Sequence, residues 1–536
     1  MNTIKFSENS LVYFKSRINK KKKYNIIKIL EKNSNFYKIK FSKIINSFNY
    51  KKIFKEDSYS KSKFWHLSDF FEKNIWKNVE ILDVLRLIAL EKILKSDKII
   101  ELHSTTDDFK LYFYLKNFCL NNDIKFNKKS EYKFLYKKII FNLKYYITPF
   151  VEIIKFIKEN ILMIPFLFLK KDMEDKKNLI ISYSTIFQNN KIDDFYWKNL
   201  DKNISDLNSN KLIINSDNKN NLSKISISKK NSKKNIFFLQ SYQGISSFFI
   251  TLIIWLFFLK KIFFMKKNVQ NNYFLKNYFR NCFFKISFLR NINYFFLFKV
   301  FFSKGYHDNI YYLFENISWE KSLNISNHKS KLYPYQHSSV RNWDFRYHLF
   351  NFDKKIFKRF MPSLVFSTSI YNRFKLSKIL NGIQIINTKS ARYKLFTGKL
   401  LSKKNKSILL LGDIDNNETI DMIRLLRTNE NFTIYLKLHP ASNFKIKYNN
   451  IKIVNEKLSK LLTIYDKILC SNSTTSVFEV ILAKRKPFVY LGVNKLNLCP
   501  LKSFKGINFI SNNKDLIKFK NTNTNIDYDK FIKKFF

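Results

Sequence analysis

Glycine and proline are nearly missing, seven of each in 536 residues, and acidic side chains are outnumbered 41 to 98 by lysine and arginine. The shortage accompanies an excess of lysine, asparagine, isoleucine and phenylalanine along the whole chain, the mark of AT-rich codons. Much of the formal charge of +57 is therefore codon bias, although a basic surface attracts anionic lipids and anionic donors whatever its origin. No RNP-like, zinc-finger or helix-turn-helix pattern occurs, and the aromatics do not interleave with arginine in one patch, which argues against nucleic acid as a partner. Cysteine is sparse as well. Cys119, Cys282, Cys470 and Cys499 show no CxxC spacing, so neither a zinc site nor a disulfide framework is expected, and a reducing cytoplasm suits them. The opening MNTIKFSENSLVYFKSRINKKKKYN lacks the basic, apolar, small-residue layout of a signal peptide, so the protein is expected to stay inside the cell.

What is present is ample material for folded domains: 45% of the residues are apolar, and the length suits two to three domains. From Phe64 to Phe126 an α/β alternation is clear, with a helix over Asp83–Leu94, a strand over Lys98–His103, a helix over Asp107–Leu120 and a strand at Ile124–Phe126. Alternation of this kind predicts a parallel, doubly wound sheet. Strands at Asn178–Ser184, Ile310–Phe314, Lys331–His337 and Ser363–Ser367 continue it, and Ser407–Asp413 opens a second such series. The Asp344 and Arg346 of RNWDFRY read as surface salt-bridging charges, with shaping of the cleft as the alternative, and Asp527–Phe536 as a last helix that crosses back onto the N-terminal half.

Two apolar stretches interrupt this pattern. Lys137–Lys171 is punctuated by Lys144, Glu152, Lys155, Lys158 and Glu159, which makes a buried span costly and predicts an interfacial amphipathic helix. Asn235–Leu259 holds no charge and is flanked by Lys233, Lys234, Lys260 and Lys261. Its length would cross a bilayer, but Gln240, Ser241, Gln243 and Gly244 crowd its first half, so the expectation is a helix dipping into the cytoplasmic leaflet, with a buried core helix and a true span as the alternatives.

The stretch Phe432–Gly492 carries the densest chemistry. A strand ending at Leu438 delivers His439 and Pro440 to its carboxyl edge, and the strand Lys467–Cys470 runs into Ser471-Asn-Ser-Thr-Thr-Ser476, directly ahead of a helix over Val477–Ala483. The hydroxyls of Ser473, Thr474, Thr475 and Ser476 thus fall at a helix N-cap and first turn, where free N–H groups favour an anion. In an open α/β sheet ligands lie beyond the carboxyl ends of the strands, so His439 and this cap converge. In the first half, three successive strands place Glu315, His337 and Ser367 at one such edge.

An LHP strand end followed by a Ser/Thr cap and a helix carrying Glu479 resembles the C-terminal nucleotide domain of GT-B glycosyltransferases, in particular bacterial O-antigen and capsule enzymes, sialyl- and Kdo-type transferases and CDP-glycerol glycerophosphotransferases. The resemblance implies that His439, Ser473, Thr474, Thr475 and Ser476 hold the donor phosphate and that Glu479 reaches the ribose. Asp413, at the end of the first C-terminal strand, would touch donor or acceptor. The YQHS of His337 resembles the QxHG histidine of glycerophosphotransferases, with Ser338 replacing a glycine, and FENISWE resembles surface-carbohydrate biosynthesis proteins. A transferase needs a base on the acceptor hydroxyl; His337 is the first choice and Glu315 the runner-up or its orienter.

The resulting expectation is an α/β GT-B protein, two Rossmann-like doubly wound domains with a membrane-seeking helical insert in the N-terminal half. Residues 1–60 form a basic segment, 61–390 the acceptor domain with inserts at about 137–171 and 235–267, 391–406 a linker, and 407–536 the donor domain. The implied activity is an inverting transfer of a sugar or polyol-phosphate from a nucleotide-activated donor to a surface polysaccharide or lipid-linked acceptor. It would work without a metal or a cofactor, at the inner face of the cytoplasmic membrane. The alternatives are a scaffold of polysaccharide assembly and a GT-B-like sugar-nucleotide epimerase, which would not need the insert.

Overall fold

The computed structural model describes residues 5–6, 11–15, 21–48, 59–78, 80–96, 101–104, 108–127, 132–171, 176–183, 185–188, 191–194, 197, 209–215, 221–230, 235–264, 273–327, 329–336, 338–348, 358–388, 407–427, 433–439, 442, 450–492, 495–502, 504–517 and 526–536. The chain divides into two compact units. One holds Met1–His337, Phe345–Phe366 and Leu376–Ile386; the other holds Ser338–Asp344, Ser367–Lys375 and Asn387–Phe536. The linker expected at 391–406 lies outside the described residues.

A parallel strand buried on both faces needs an unbroken apolar run, and the sequence supplies several. In the first unit β6 (Asn178–Ser182) is buried along its whole length. It is joined by β9 (Ser209–Ile213), β10 (Ile236–Phe238), β11 (Asn309–Leu313), β12 (Lys331–Tyr335), β13 (Leu364–Ser367) and β14 (Gln384–Asn387) in the order β10-β9-β6-β11-β12-β13-β14. The pairings from β10 through β13 are parallel. In chain order this is 3-2-1-4-5-6-7, so the winding reverses between β6 and β11. Between β6 and β9, β7 (Thr185–Gln188) and β8 (Lys191–Asp194) form an antiparallel pair of their own.

In the second unit β15 (Ser407–Leu411), β16 (Thr433–Lys437), β17 (Ile451–Ile453), β18 (Lys467–Cys470), β19 (Pro487–Tyr490) and β20 (Asn508–Ile510) form an all-parallel sheet ordered β17-β16-β15-β18-β19-β20. That is the 3-2-1-4-5-6 order of a dinucleotide-binding domain, with its reversal between β15 and β18. One face of this sheet packs around Met422, Leu426 and Leu436, the other around Val477, Phe478 and Phe531. The last helix caps that second face, where Phe535 also meets Tyr371 at 4.8 Å between ring centroids.

Three expectations need correction. The strands β4 (Glu101–Ser104) and β5 (Lys125–Asn127) do not join the doubly wound sheet; they belong to a separate five-stranded sheet with the N-terminal β1 (Lys5–Phe6), β2 (Leu11–Lys15) and β3 (Lys21–Asn25). β1 pairs with β4 in parallel, so residues placed in a featureless basic segment supply a sheet neighbour instead. The uncharged run from Asn235 is not one helix either. Its first part is the edge strand β10 and a 3-10 turn, Leu239–Tyr242, in which Gln240 exchanges two hydrogen bonds with the backbone of Asn215. The polar residues there are satisfied inside the protein, and only the part from Ile245 is helical. Asp344 and Arg346, read as surface charges, are both buried.

Four helices of the first unit matter below: α1 (Tyr132–Met163), α2 (Ile245–Phe263), α3 (Ile286–Phe302) and α4 (Ser318–Ser326). Phenylalanine, 58 residues of the chain, fills the core between such helices with rings. Trp65 stacks on Phe283 at 4.4 Å and Phe70 on Phe279 at 4.6 Å. Trp255 of α2 is buried there too, its indole N–H donating to the Phe283 carbonyl at 2.8 Å.

Candidate functional site

At the reversal point of the second sheet, β15 hands over to Gly412 and Asp413. A Cβ at Gly412 would stand 3.2 Å from Thr419 Oγ1, close enough that the threonine would have to shift by a few tenths of an ångström, and 3.5 Å from the Lys437 carbonyl, an ordinary contact. The Asp413 N–H donates to Thr419 Oγ1 at 3.0 Å, and its carboxylate is buried. Oδ1 accepts from the Asp415 N–H at 2.9 Å and Oδ2 from Ser473 Oγ at 2.6 Å. Asp413 therefore bridges the two loops that flank the reversal.

The turn from Ser471 begins with its N–H on the Leu411 carbonyl at 3.1 Å, which registers it against β15. Asn472 is buried and turns away from the edge, its amide bracketing Leu496 and Leu498. Ser473 and Thr474 are half-buried, and Thr474 Oγ1 accepts the Ser476 N–H at 3.2 Å. Beyond α5 (Asn416–Arg427), Thr475 takes the N-cap position of a further helix, α6 (Ser476–Leu482), and makes no side-chain cap bond. The hydroxyl run thus stands at a helix start as its sequence implies, and Glu479 lies in the first turn, half-buried.

His439 leaves β16, the strand next to β15, and is half-buried; its carbonyl accepts from the Ser442 N–H at 2.8 Å, and Ser442 Oγ reaches Asn416 at the start of α5. Asp413, His439 and the Ser471–Ser476 turn therefore follow three adjacent strands at one carboxyl edge. Arg341 was not singled out by its sequence, though it stands four residues after His337. Its Nη2 donates to the Ser473 carbonyl at 2.7 Å, adding a cation to the turn. The same charge opposes the burial that pushes the nearby Cys499 thiol up to about 12. Beside this edge, an open depression of about 750 Å³ is lined by Asp421, Arg424, Tyr490, Ser511, Asn512 and Lys514, and by none of the reversal-point residues.

In the first unit the reversal lies between β6 and β11, and Glu315 follows β11 with Phe314 between. Asn316 is left-handed at φ 56°, a conformation that asparagine tolerates. The buried Glu320 accepts the N–H groups of Glu315 at 2.9 Å and Asn316 at 3.0 Å; burial raises its carboxyl far above the usual range while these N–H groups pull the other way. The Glu315 carboxylate sits 3.3 Å from the guanidinium of Arg346, which is itself packed over the Trp76 ring. The N-terminus of α4 is closed by Glu72, whose Oε2 accepts both the N–H and the hydroxyl of Ser318 at 3.1 Å. His337 lies outside the described residues; β12, which leads to it, ends at Tyr335. Ser367 ends β13 at the same edge, its hydroxyl on the Ser369 carbonyl. Among the described residues no group of His, Cys, Asp or Glu is arranged to hold a metal ion.

No protein-family model matches the chain, and no curated protein does. Solved structures do. A glycotransferase of kitacinnamycin superposes with a TM-score of 0.40 at 6% identity over 67% of this chain and 94% of its own. UDP-GlcNAc 2-epimerase from Methanocaldococcus jannaschii gives 0.36 at 11% over 66% and 94%, and MurG from Acinetobacter baumannii 0.36 at 8% over 67% and 94%. At this level the likeness carries nothing about substrate or chemistry. The fold rests on the strand orders: two Rossmann-like, doubly wound α/β sheets in one chain.

Proposed function

We propose that the protein is a glycosyltransferase that moves a sugar or polyol-phosphate from a nucleotide-activated donor to a surface-polysaccharide or lipid-linked acceptor. The observation that carries the reading is the coincidence, at the reversal point of the second sheet, of a hydroxyl-rich helix start with Arg341. A ligand of a doubly wound sheet lies at that point, and hydroxyls, N–H groups and a guanidinium together select an anion. A donor's phosphates are that anion, and in transfer they are also the leaving group, which the same donors would stabilise as charge develops on it. Thr474, Thr475, Ser476 and His439 take the phosphate role and Glu479 the ribose, while Ser473, whose one hydroxyl hydrogen goes to Asp413, holds the turn in place. Asp413 acts as the brace that fixes Ser473, and the acceptor's base is His337 or Glu315.

A second reading has one observation in its favour. Asp413 puts a carboxylate 2.6 Å from the central hydroxyl of the cradle, which opposes an anion there. A non-catalytic component of polysaccharide assembly would tolerate that charge. Thermal-shift screening against CMP-, CDP-, UDP- and GDP-linked compounds separates the two. Stabilisation by one nucleotide class, weakened about tenfold in affinity by Arg341→Gln or Ser473→Ala, supports the transferase. No response to any of them supports the scaffold.

A further inference from the structure

Helix α1 carries two apolar stripes where a surface helix needs one. Phe134, Phe141, Tyr145 and Phe156 form the buried stripe. Tyr145 meets Phe263 of α2 at 5.2 Å and Phe156 stacks on Phe248 of α2 at 5.5 Å, so the two helices are packed together. The second stripe, Tyr136, Ile139, Leu143, Ile147, Phe150 and Ile154, recurs every three or four residues and is between 52% and 68% exposed. It continues to Ile161, a length of about 38 Å at the helical rise. Helix α2 adds Ile245, Phe249, Ile253 and Leu256, each 50% exposed or more. Single exposed leucines mean little, but a continuous apolar face on two packed helices marks a binding surface.

Charge says what it binds. The acidic groups of α1 turn inward: Glu152 is buried and accepts the Ile286 N–H at 2.8 Å, and Glu159 pairs with Arg290 of α3. The lysines do not; Lys144, Lys158, Lys170 and Lys260 stand exposed around the stripe, and α2 has no acid at all. A second copy of this chain would set lysine against lysine, whereas an anionic lipid surface is complementary. Crossing the bilayer is a different matter. Helix α2 has the length and hydropathy for it, yet Thr251, Trp255, Phe258 and Ile262 are packed in the protein core, and a span would have to pull them out.

We propose that α1 and α2 together form a flat docking face that binds an anionic bilayer from one side without crossing it. Neither the donor nor the transfer reaction enters this inference, so it stands or falls apart from the proposed function. Deleting the α2 segment would remove Trp255 from the core and is no test. Surface variants are: Ile147→Gln with Ile154→Gln and Ile253→Gln for the apolar face, and Lys144→Glu with Lys158→Glu and Lys260→Glu for its charge, each checked by circular dichroism and melting.

The full chain is floated with vesicles of phosphatidylcholine alone and of three parts phosphatidylcholine to one of phosphatidylglycerol. The wild type should bind the anionic vesicles. The apolar variant should lose binding roughly a hundredfold, and the charge variant by a similar factor on anionic vesicles only, since each lysine near such a surface contributes roughly a factor of five. Should a triple variant fail to fold, Ile154→Trp keeps the proposal testable: the fluorescence it adds over wild type should be quenched by brominated lipid. Wild type that stays unbound, added fluorescence in Ile154→Trp that brominated lipid leaves unquenched, or resistance to alkaline extraction from membranes would overturn the proposal. So would a lipid-free dimer that the apolar variant splits while vesicle binding is unchanged.

Discussion

Ser473 donates its hydroxyl hydrogen to Oδ2 of Asp413 over 2.6 Å, tying the loop after β15 to the turn after β18. The bond joins two loops from opposite sides of the reversal point, so the shape of the crevice and its charge are set by the same pair.

The pair can be taken apart by charge and by shape. Asp413→Asn keeps a hydrogen-bonding partner for Ser473 but removes the negative charge beside the cradle, so affinity for the nucleotide should rise by roughly tenfold. Asp413→Ala frees both loops and should weaken nucleotide binding, at a cost of about 1–2 kcal/mol in stability for the buried donors left without a partner. Titration calorimetry on both variants decides it, and equal affinity in wild type and Asp413→Asn would move the phosphate away from Ser473.

The two candidate bases should part on stability as well as on rate. Arg346 keeps only 5% of its side chain exposed and sits 3.3 Å from the Glu315 carboxylate, so Glu315→Gln should cost about 2–3 kcal/mol by taking one negative charge away from a buried cation. His337→Ala should leave the melting temperature near wild type and reduce kcat about a hundredfold at saturating donor, the scale of a lost general base. Normal turnover in His337→Ala beside a folded but inactive Glu315→Gln would reverse the two roles.

Stability should depend on pH through two buried lysines of the first unit. Burial, with the charge of Lys321 adding to it, holds Lys73 down to about 7; burial likewise holds Lys321 to about 8, against the pull of Glu72. The unfolded chain keeps both protonated until about pH 10, so it binds more protons than the folded one and stability rises with pH. The gain should run at roughly 1–2 kcal/mol per unit between pH 7 and 8.5. Above about pH 9 the buried thiols work the other way, because burial raises Cys119, Cys282, Cys470 and Cys499 while the unfolded thiols ionise. Urea unfolding at pH 7.0 and 8.5 should show the rise, and Lys73→Met should remove a large part of it; a flat profile in the wild type would refute the assignment.

The central strands of both sheets were legible because buried parallel strands are apolar without interruption, as in the ILLL of β15 and the LII of β6, whereas β9, β14 and β20 did not stand out and β10 was read as part of a helix. The Ser471–Ser476 turn was legible too, since its hydroxyls precede an apolar helix that starts where the spacing puts it. What escaped depends on residues far apart in the chain. Arg341 meets Ser473 across 132 positions and Glu72 caps Ser318 across 246, and nothing local marks either. The run from Asn235 was misread because absence of charge has no period: β10, a turn and α2 share it, and the packing of Gln240 on Asn215 decides where one ends.

Only Gln243 and Gly244 lie between the buried turn Leu239–Tyr242 and α2, and the Gly244 N–H is itself held by Ser247 Oγ at 3.1 Å. Two residues reach about 7 Å at full stretch, which leaves little slack between α2 and the buried turn that follows β10. A load on α2 therefore has no tether to draw out. It passes into the turn Leu239–Tyr242, which Gln240 pins to the backbone of Asn215, and so to the edge of the sheet.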